Sequence, residues 1–129
     1  WVALTAGPQA NLMTPRDMAK LATKVIDLGV KAVLVNCTPA ADTLRFVEAI
    51  LATEIPVVGA YANAGSPHDN LGWRTDCDSG FQAYAEFAQS WINAGASIIG
   101  GCCGSTPEHI KAIADVVKDY QPRKLLTTA

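Results

Sequence analysis

Two cysteines stand side by side at Cys102-Cys103, framed by Gly100-Gly101 and Gly104, and a third, Cys37, occupies a matching place earlier in the chain. Cys37 closes the run Ala32-Val33-Leu34-Val35-Asn36, and Cys102 closes Ser97-Ile98-Ile99-Gly100-Gly101. Both runs have the continuous apolar character of strands buried on two faces. Each is followed by Thr-Pro, at Thr38-Pro39 and Thr106-Pro107, the pattern of a helix start with Thr as cap and Pro in the first turn. The sequence thus predicts three thiols delivered to the same end of two parallel strands. Three protein ligands with an open fourth position distinguish a catalytic zinc site from a closed structural one.

Successive side chains of a strand point to opposite faces, so Cys102 and Cys103 can share a metal only if the chain leaves regular β geometry there. The flanking glycines supply the backbone freedom for that departure. The plainer alternative is that glycine permits close packing and that buried cysteines act as small hydrophobes. An adjacent pair in a glycine frame, with Cys37 at an equivalent strand end, favours the metal. A vicinal disulfide is disfavoured, because neighbouring Cα atoms lie about 3.8 Å apart, short of the usual span of about 4.4–6.8 Å. All-sulfur ligation selects a soft or borderline metal, most commonly zinc. Such a centre suits activation of a substrate thiol, and alkyl transfer to sulfur is the chemistry implied.

The elements that must position these groups repeat four times. A strand over Trp1–Ala6 leads through a polar loop to Thr14-Pro15 and a helix with Met18, Leu21, Ala22, Val25 and Ile26 inward, ended by Gly29. After the Val33 strand, a helix from about Pro39 carries Leu44, Val47, Ile50 and Leu51 inward. A third strand, Val57–Tyr61, precedes a helix over roughly 80–93 that buries Phe81, Tyr84, Phe87, Ala88 and Trp91. The fourth strand, Ser97–Gly101, is followed by a helix using Ile110, Ile113, Ala114 and Val117, and a polar tail covers residues 120–129. This alternation predicts an α/β fold with a parallel sheet covered by helices. An open doubly wound sheet and half of a (β/α)₈ barrel both satisfy it. The barrel accounts for functional residues gathering at strand C-termini.

The chain has 129 residues, 50% of them hydrophobic, and a formal net charge of −2. That suits one globular core and gives no electrostatic footprint for nucleic acid or an anionic membrane. No apolar run reaches the roughly 18 residues that span a bilayer and no signal-type segment is present, so a cytoplasmic location is expected. Four cysteines allow two disulfides in a secreted chain, whereas in a reducing compartment they read as ligands or nucleophiles. Cys77 lies in a polar loop and reads as a bystander. His68 is a weak candidate, His109 reads as a surface or outer residue of the last helix, and Glu108 as a complement to that helix's N-terminus. Trp1, Trp73 and Trp91 read as core, not as a binding surface.

Three segments together, Val35-Asn36-Cys37, Gly59-Ala60-Tyr61-Ala62-Asn63-Ala64-Gly65 and Gly100-Gly101-Cys102-Cys103-Gly104-Ser105-Thr106-Pro107-Glu108-His109-Ile110, resemble the homocysteine S-methyltransferases. The resemblance runs from about Val2 to Val117 and corresponds to the second half of that family's barrel. It implies that residues 1–119 form the C-terminal half of a (β/α)₈ TIM-type barrel, with Zn²⁺ held by Cys37, Cys102 and Cys103. It further implies that homocysteine sulfur takes the open position and accepts a methyl group from a methyl donor, giving methionine. Asn36 and Asn63 match positions beside the site and are carried over as substrate contacts; the alternative roles are turn formation and strand-end hydrogen bonding. The family's first four strands have no counterpart here, so self-association or a missing N-terminal half-barrel is expected. A non-catalytic zinc-binding half-barrel acting in assembly is the alternative function. A thiol redox protein is a weaker one, lacking a CxxC pair.

Overall fold

A computed structural model of the chain describes residues 1–65 and 78–120, with side chains at 78 and 79 excepted. His68, Trp73, Cys77 and the tail beyond Tyr120 lie outside the described residues. The elements are β1 (Val2–Leu4), α1 (Pro15–Asp27), β2 (Val33–Pro39), α2 (Ala40–Leu51), β3 (Val58–Asn63), α3 (Asp78–Ala94), β4 (Ile98–Gly101) and α4 (Pro107–Asp119). The strands form one parallel sheet in the order β1-β2-β3-β4. Each helix packs on the next, α1 on α2, α2 on α3 and α3 on α4. A doubly wound sheet reverses its strand order at a switch point. Consecutive order without reversal is the arc of a barrel, so the choice left open by the strand-helix alternation falls to the barrel type.

The core lies between sheet and helices. Val33, Val35, Val58 and Ala60 face Phe46, Val47, Ile50, Tyr84, Ala88 and Trp91 within it. The alternate positions Ala3, Leu34, Gly59 and Ile98 align across the four strands in one row and occupy the opposite, inner face. Gly59 belongs there for a steric reason: a Cβ would meet Ile98 O at 2.7 Å and Leu34 Cγ at 2.8 Å. Close approach of β2, β3 and β4 leaves no room for a side chain.

Local chemistry sets the helix starts. Thr14 caps α1, its Oγ1 accepting from Asp17 N at 3.2 Å and donating to Asp17 Oδ2 at 2.7 Å. The expected Thr38-Pro39 cap does not form. Strand β2 runs on through Pro39, α2 begins at Ala40 without a side-chain cap, and Thr38 is fully buried. The Thr38 hydroxyl instead accepts from Ala6 N at 3.2 Å and donates to Asn36 O at 3.1 Å, tying the ends of the first two strand units together. A threonine given to cross-strand bonds cannot also cap a helix.

The two outer helices correct a second expectation. Leu21 on α1 is 37% exposed, and Ile110 and Val117 on α4 are 46% and 50% exposed. Among the described residues α1 and α4 each have a helix on one flank only, so their buried stripes narrow to Met18 and Ala22 and to His109 and Ile113. The inner helices α2 and α3 are covered on both flanks and bury Val47, Ile50, Tyr84, Ala88 and Trp91 as expected, with Phe46 added, while Leu44, Leu51, Phe81 and Phe87 are half-buried. Trp1, expected in the core, is 75% exposed and lies tilted against Tyr61, ring centroids 6.4 Å apart. No described helix is long and apolar enough to cross a membrane.

Candidate metal centre

Strand β2 changes register between Asn36 and Pro39, and Cys37 sits in that irregularity with φ +47°. A non-glycine residue in this left-handed region carries roughly 1–2 kcal/mol of backbone cost. The break ends the in-and-out alternation of β2 at Cys37. On the other arm β4 stops at Gly101. The Cys102 carbonyl then accepts from Ser105 N at 3.1 Å and from Ser105 Oγ at 2.6 Å. Gly104 completes the turn at φ +77°. The doublet leaves β geometry as the glycine frame requires, while the equal departure at Cys37 was not foreseen.

Backbone bonds anchor the doublet to β3. Cys102 N donates to Ala62 O and Ala64 N donates to Cys103 O, each at 2.9 Å. Together these arms bring Cys37 Sγ to 2.8 Å from Cys102 Sγ, and the sulfurs of Cys37, Cys102 and Cys103 all lie within 4.8 Å of one another. The three are free thiols, Cys37 and Cys102 half-buried and Cys103 exposed. The Cys37 thiol is pushed up to about 12, first by its hydrogen bond with Cys102, then by burial and by charge on the neighbouring sulfurs.

The donor set fits a soft divalent ion. Three thiolates at this separation repel one another, and a cation among them removes that repulsion. Around a tetrahedral zinc with Zn–S near 2.3 Å the sulfurs stand about 3.8 Å apart, so binding has to spread Cys37 and Cys102 by about 1 Å. Exposed Cys103 leaves the cluster open to solvent on one side, where a fourth ligand can enter.

Of the two asparagines, Asn63 closes β3 opposite Pro39 and is 4% exposed, with its Oδ1 buried and lacking a hydrogen-bond partner among the described residues. Asn36 is half-buried in the row of Tyr61 and Gly100. His109 is fully buried, which removes the surface half of the reading given to it. Its Nδ1 accepts from Thr106 N at 3.1 Å, and its ring meets Phe81 and Tyr84 edge-on at 4.7 and 5.4 Å. The spacing Thr106-Pro107-Glu108-His109 follows a capping box with His in the position usually held by Glu or Gln, a signal present in the sequence. Glu108, exposed in the first turn, has its carboxyl held below the usual carboxylate range by a hydrogen bond with Thr106.

Fold and site together define a class: a parallel barrel-type α/β protein with a cluster of thiols at its strand ends. A model of the homocysteine S-methyltransferase family matches residues 1–117, and the chain belongs to that family. It is 32% identical to homocysteine S-methyltransferase 3 of Arabidopsis thaliana, over 92% of this chain and 35% of that protein. With homocysteine S-methyltransferase 1 of Zea mays it shares 29% identity over 92% of this chain and 38% of the relative. A selenocysteine Se-methyltransferase of Brassica oleracea var. italica is 34% identical over 74% of this chain and 27% of its own length. The chain therefore spans between about a quarter and two-fifths of the length of these relatives. The crystal structure of the homocysteine methyltransferase MmuM from Escherichia coli, in oxidized form, superposes with a TM-score of 0.58 at 24% identity, over 82% of this chain and 31% of that one. That likeness is one of fold.

Proposed function

We propose that residues 1–119 are the C-terminal, zinc-binding half of a homocysteine S-methyltransferase barrel, in which the thiol of homocysteine receives a methyl group to give methionine. Cys37, Cys102 and Cys103 are the zinc ligands. The observation that carries this reading is the meeting of three sulfurs within 4.8 Å at the ends of β2 and β4, in a chain of this family. Bound zinc supplies the positive charge that lets an added thiol lose its proton near neutral pH and remain nucleophilic.

The chain's own residues do the rest. The strained turn at Cys37 and the glycine-framed turn at the doublet gather the sulfurs before any ligand arrives, to within about 1 Å of the spacing a zinc ion needs. Cys103, on the exposed side, marks where substrate enters. Asn63 offers a buried carbonyl oxygen with no partner among the described residues, which suits a donor such as the ammonium group of an amino-acid substrate. Asn36 flanks it from β2 as a second polar contact.

A partner completes the barrel. The free edges of β1 and β4, and a groove of about 510 Å³ lined by Ile92, Ile99, Val117 and Tyr120, are the surfaces against which four further βα units would pack. These units come from the N-terminal half of a longer protein or from a second copy. The same edges and groove also suit a non-catalytic half-barrel acting in assembly, which is the second reading.

Zinc analysis of the purified chain, with Cys37→Ser, Cys102→Ser and Cys103→Ser in parallel, tests the assignment. About one zinc per chain is expected, with affinity lowered in every variant. Wild-type affinity in all three variants would overturn it.

A further inference from the structure

Two glycines immediately precede the cysteine doublet. Gly100 and Gly101 have no side chains with which to hold their own backbone, and glycine loses more conformational freedom on ordering than any other residue. Something outside β4 must therefore fix the strand end that carries Cys102.

Tyr84, from the middle of α3, reaches that point. Its side chain is fully buried. Its hydroxyl donates to Ala62 O at 2.7 Å and lies 3.1 Å from Gly100 O, so one proton is shared between adjacent ends of β3 and β4. The same Ala62 carbonyl receives the Cys102 amide at 2.9 Å. A phenylalanine would pack as well against Trp91 and His109, whose rings meet Tyr84 edge-on at 5.8 and 5.4 Å. The hydroxyl adds only the two strand-end bonds.

We propose that Tyr84 is a positioning residue of the metal centre: its hydroxyl ties the Ala62 and Gly100 carbonyls together and so holds Cys102 and Cys103 at a fixed distance from Cys37. The inference rests on the assignment of the three cysteines as metal ligands. Outer groups that orient ligands in this way typically change metal affinity by about 10- to 100-fold.

The test compares the 129-residue chain with Tyr84→Phe. Zinc affinity is read by competition with a chromophoric chelator, and ligand geometry by the visible spectrum after cobalt(II) substitution. Tyr84→Phe should bind zinc about 10- to 100-fold more weakly, give an altered cobalt spectrum, and exchange its Cys102 amide hydrogen faster. Ile50→Val, a core change beneath α2, should leave affinity and spectrum as in wild type. Zinc affinity within twofold of wild type and an unchanged cobalt spectrum in Tyr84→Phe would overturn the role of Tyr84 while leaving the ligand assignment standing. Failure of the wild-type chain to bind zinc or cobalt would overturn both. If Tyr84→Phe does not fold, a fluorinated tyrosine at position 84 keeps the ring and hydroxyl but loses its proton at lower pH. The cobalt spectrum should then change with alkaline pH in that protein before it does in wild type, and identical pH profiles would overturn the proposal.

Discussion

Cys37 combines a ligand side chain with a backbone conformation, φ +47°, that glycine adopts freely and other residues do not. The two requirements can be separated by substitution. In a chelator-treated sample, Cys37→Gly should retain the fold with stability within about 1 kcal/mol of wild type, since it relieves the strain. Cys37→Val should lose about 1–2 kcal/mol, because a β-branched side chain fits this region poorly. Urea unfolding measures both, and both variants should lose metal affinity. The Cys37 thiol, pushed up to about 12 by Cys102, burial and the nearby sulfurs, also makes the metal-free chain sensitive to alkali. An acid whose folded-state pKa lies above its unfolded value stabilises the fold below the unfolded pKa and loses that contribution as pH rises through the folded one. With an ordinary thiol value of 9.0, the metal-free chain should weaken between about pH 9 and 12, and Cys37→Ser should flatten that part of the profile. Residue identity and spacing pointed to Cys37, Cys102 and Cys103, and the fold brings their sulfurs within 4.8 Å of one another. The left-handed turn at Cys37 had no such signal, because neither Asn36 nor Thr38 marks a backbone reversal as glycine does.

At the scale of the element, the site is two strand ends leaving regular geometry in different ways, β2 by a register break and β4 by a glycine turn. The β4 turn leaves no space for added bulk. A Cβ at Gly101 would meet Ser105 Cβ at 2.7 Å and Ser105 Oγ closer still, and that serine is held by its bond to the Cys102 carbonyl. Gly101→Ala should therefore cost about 1–3 kcal/mol and displace the doublet. Thermal unfolding checks the first effect and zinc competition the second. The four strand-helix units were legible in the sequence because apolar runs, Thr-Pro starts at Thr14 and Thr106, and Gly29 and Gly95 stops all agree. Thr38-Pro39 misled, since the same dipeptide serves a strand end when its hydroxyl is engaged across the sheet by Ala6. The outer faces of α1 and α4 misled for another reason: helical periodicity marks an apolar stripe but not what covers it. Tyr84 read as a core aromatic, because its hydroxyl bonds to the Ala62 and Gly100 carbonyls of other segments leave little trace in spacing. His109 read as a surface or outer residue, although its capping role was open to reading from the Thr106-His109 spacing.

At the scale of the molecule, four consecutive parallel strands form an arc whose two edges are free among the described residues, with Ile98 on β4 39% exposed and Trp1 before β1 75% exposed. Free parallel edges invite another chain. We therefore expect the isolated chain to self-associate or to form a stable complex with an N-terminal half-barrel. Light scattering at tens of micromolar checks this, and a monodisperse, well-folded monomer would contradict it. The central claim is that three cysteines from two strand ends hold one metal ion with a position left for a substrate thiol, and X-ray absorption at the zinc edge addresses it most directly. The zinc-loaded chain should show three sulfur neighbours near 2.3 Å and one lighter neighbour, with homocysteine in the completed barrel replacing the lighter atom by a fourth sulfur. Zinc with fewer than three sulfur neighbours in the loaded chain, or four before any thiol is added, would contradict the account.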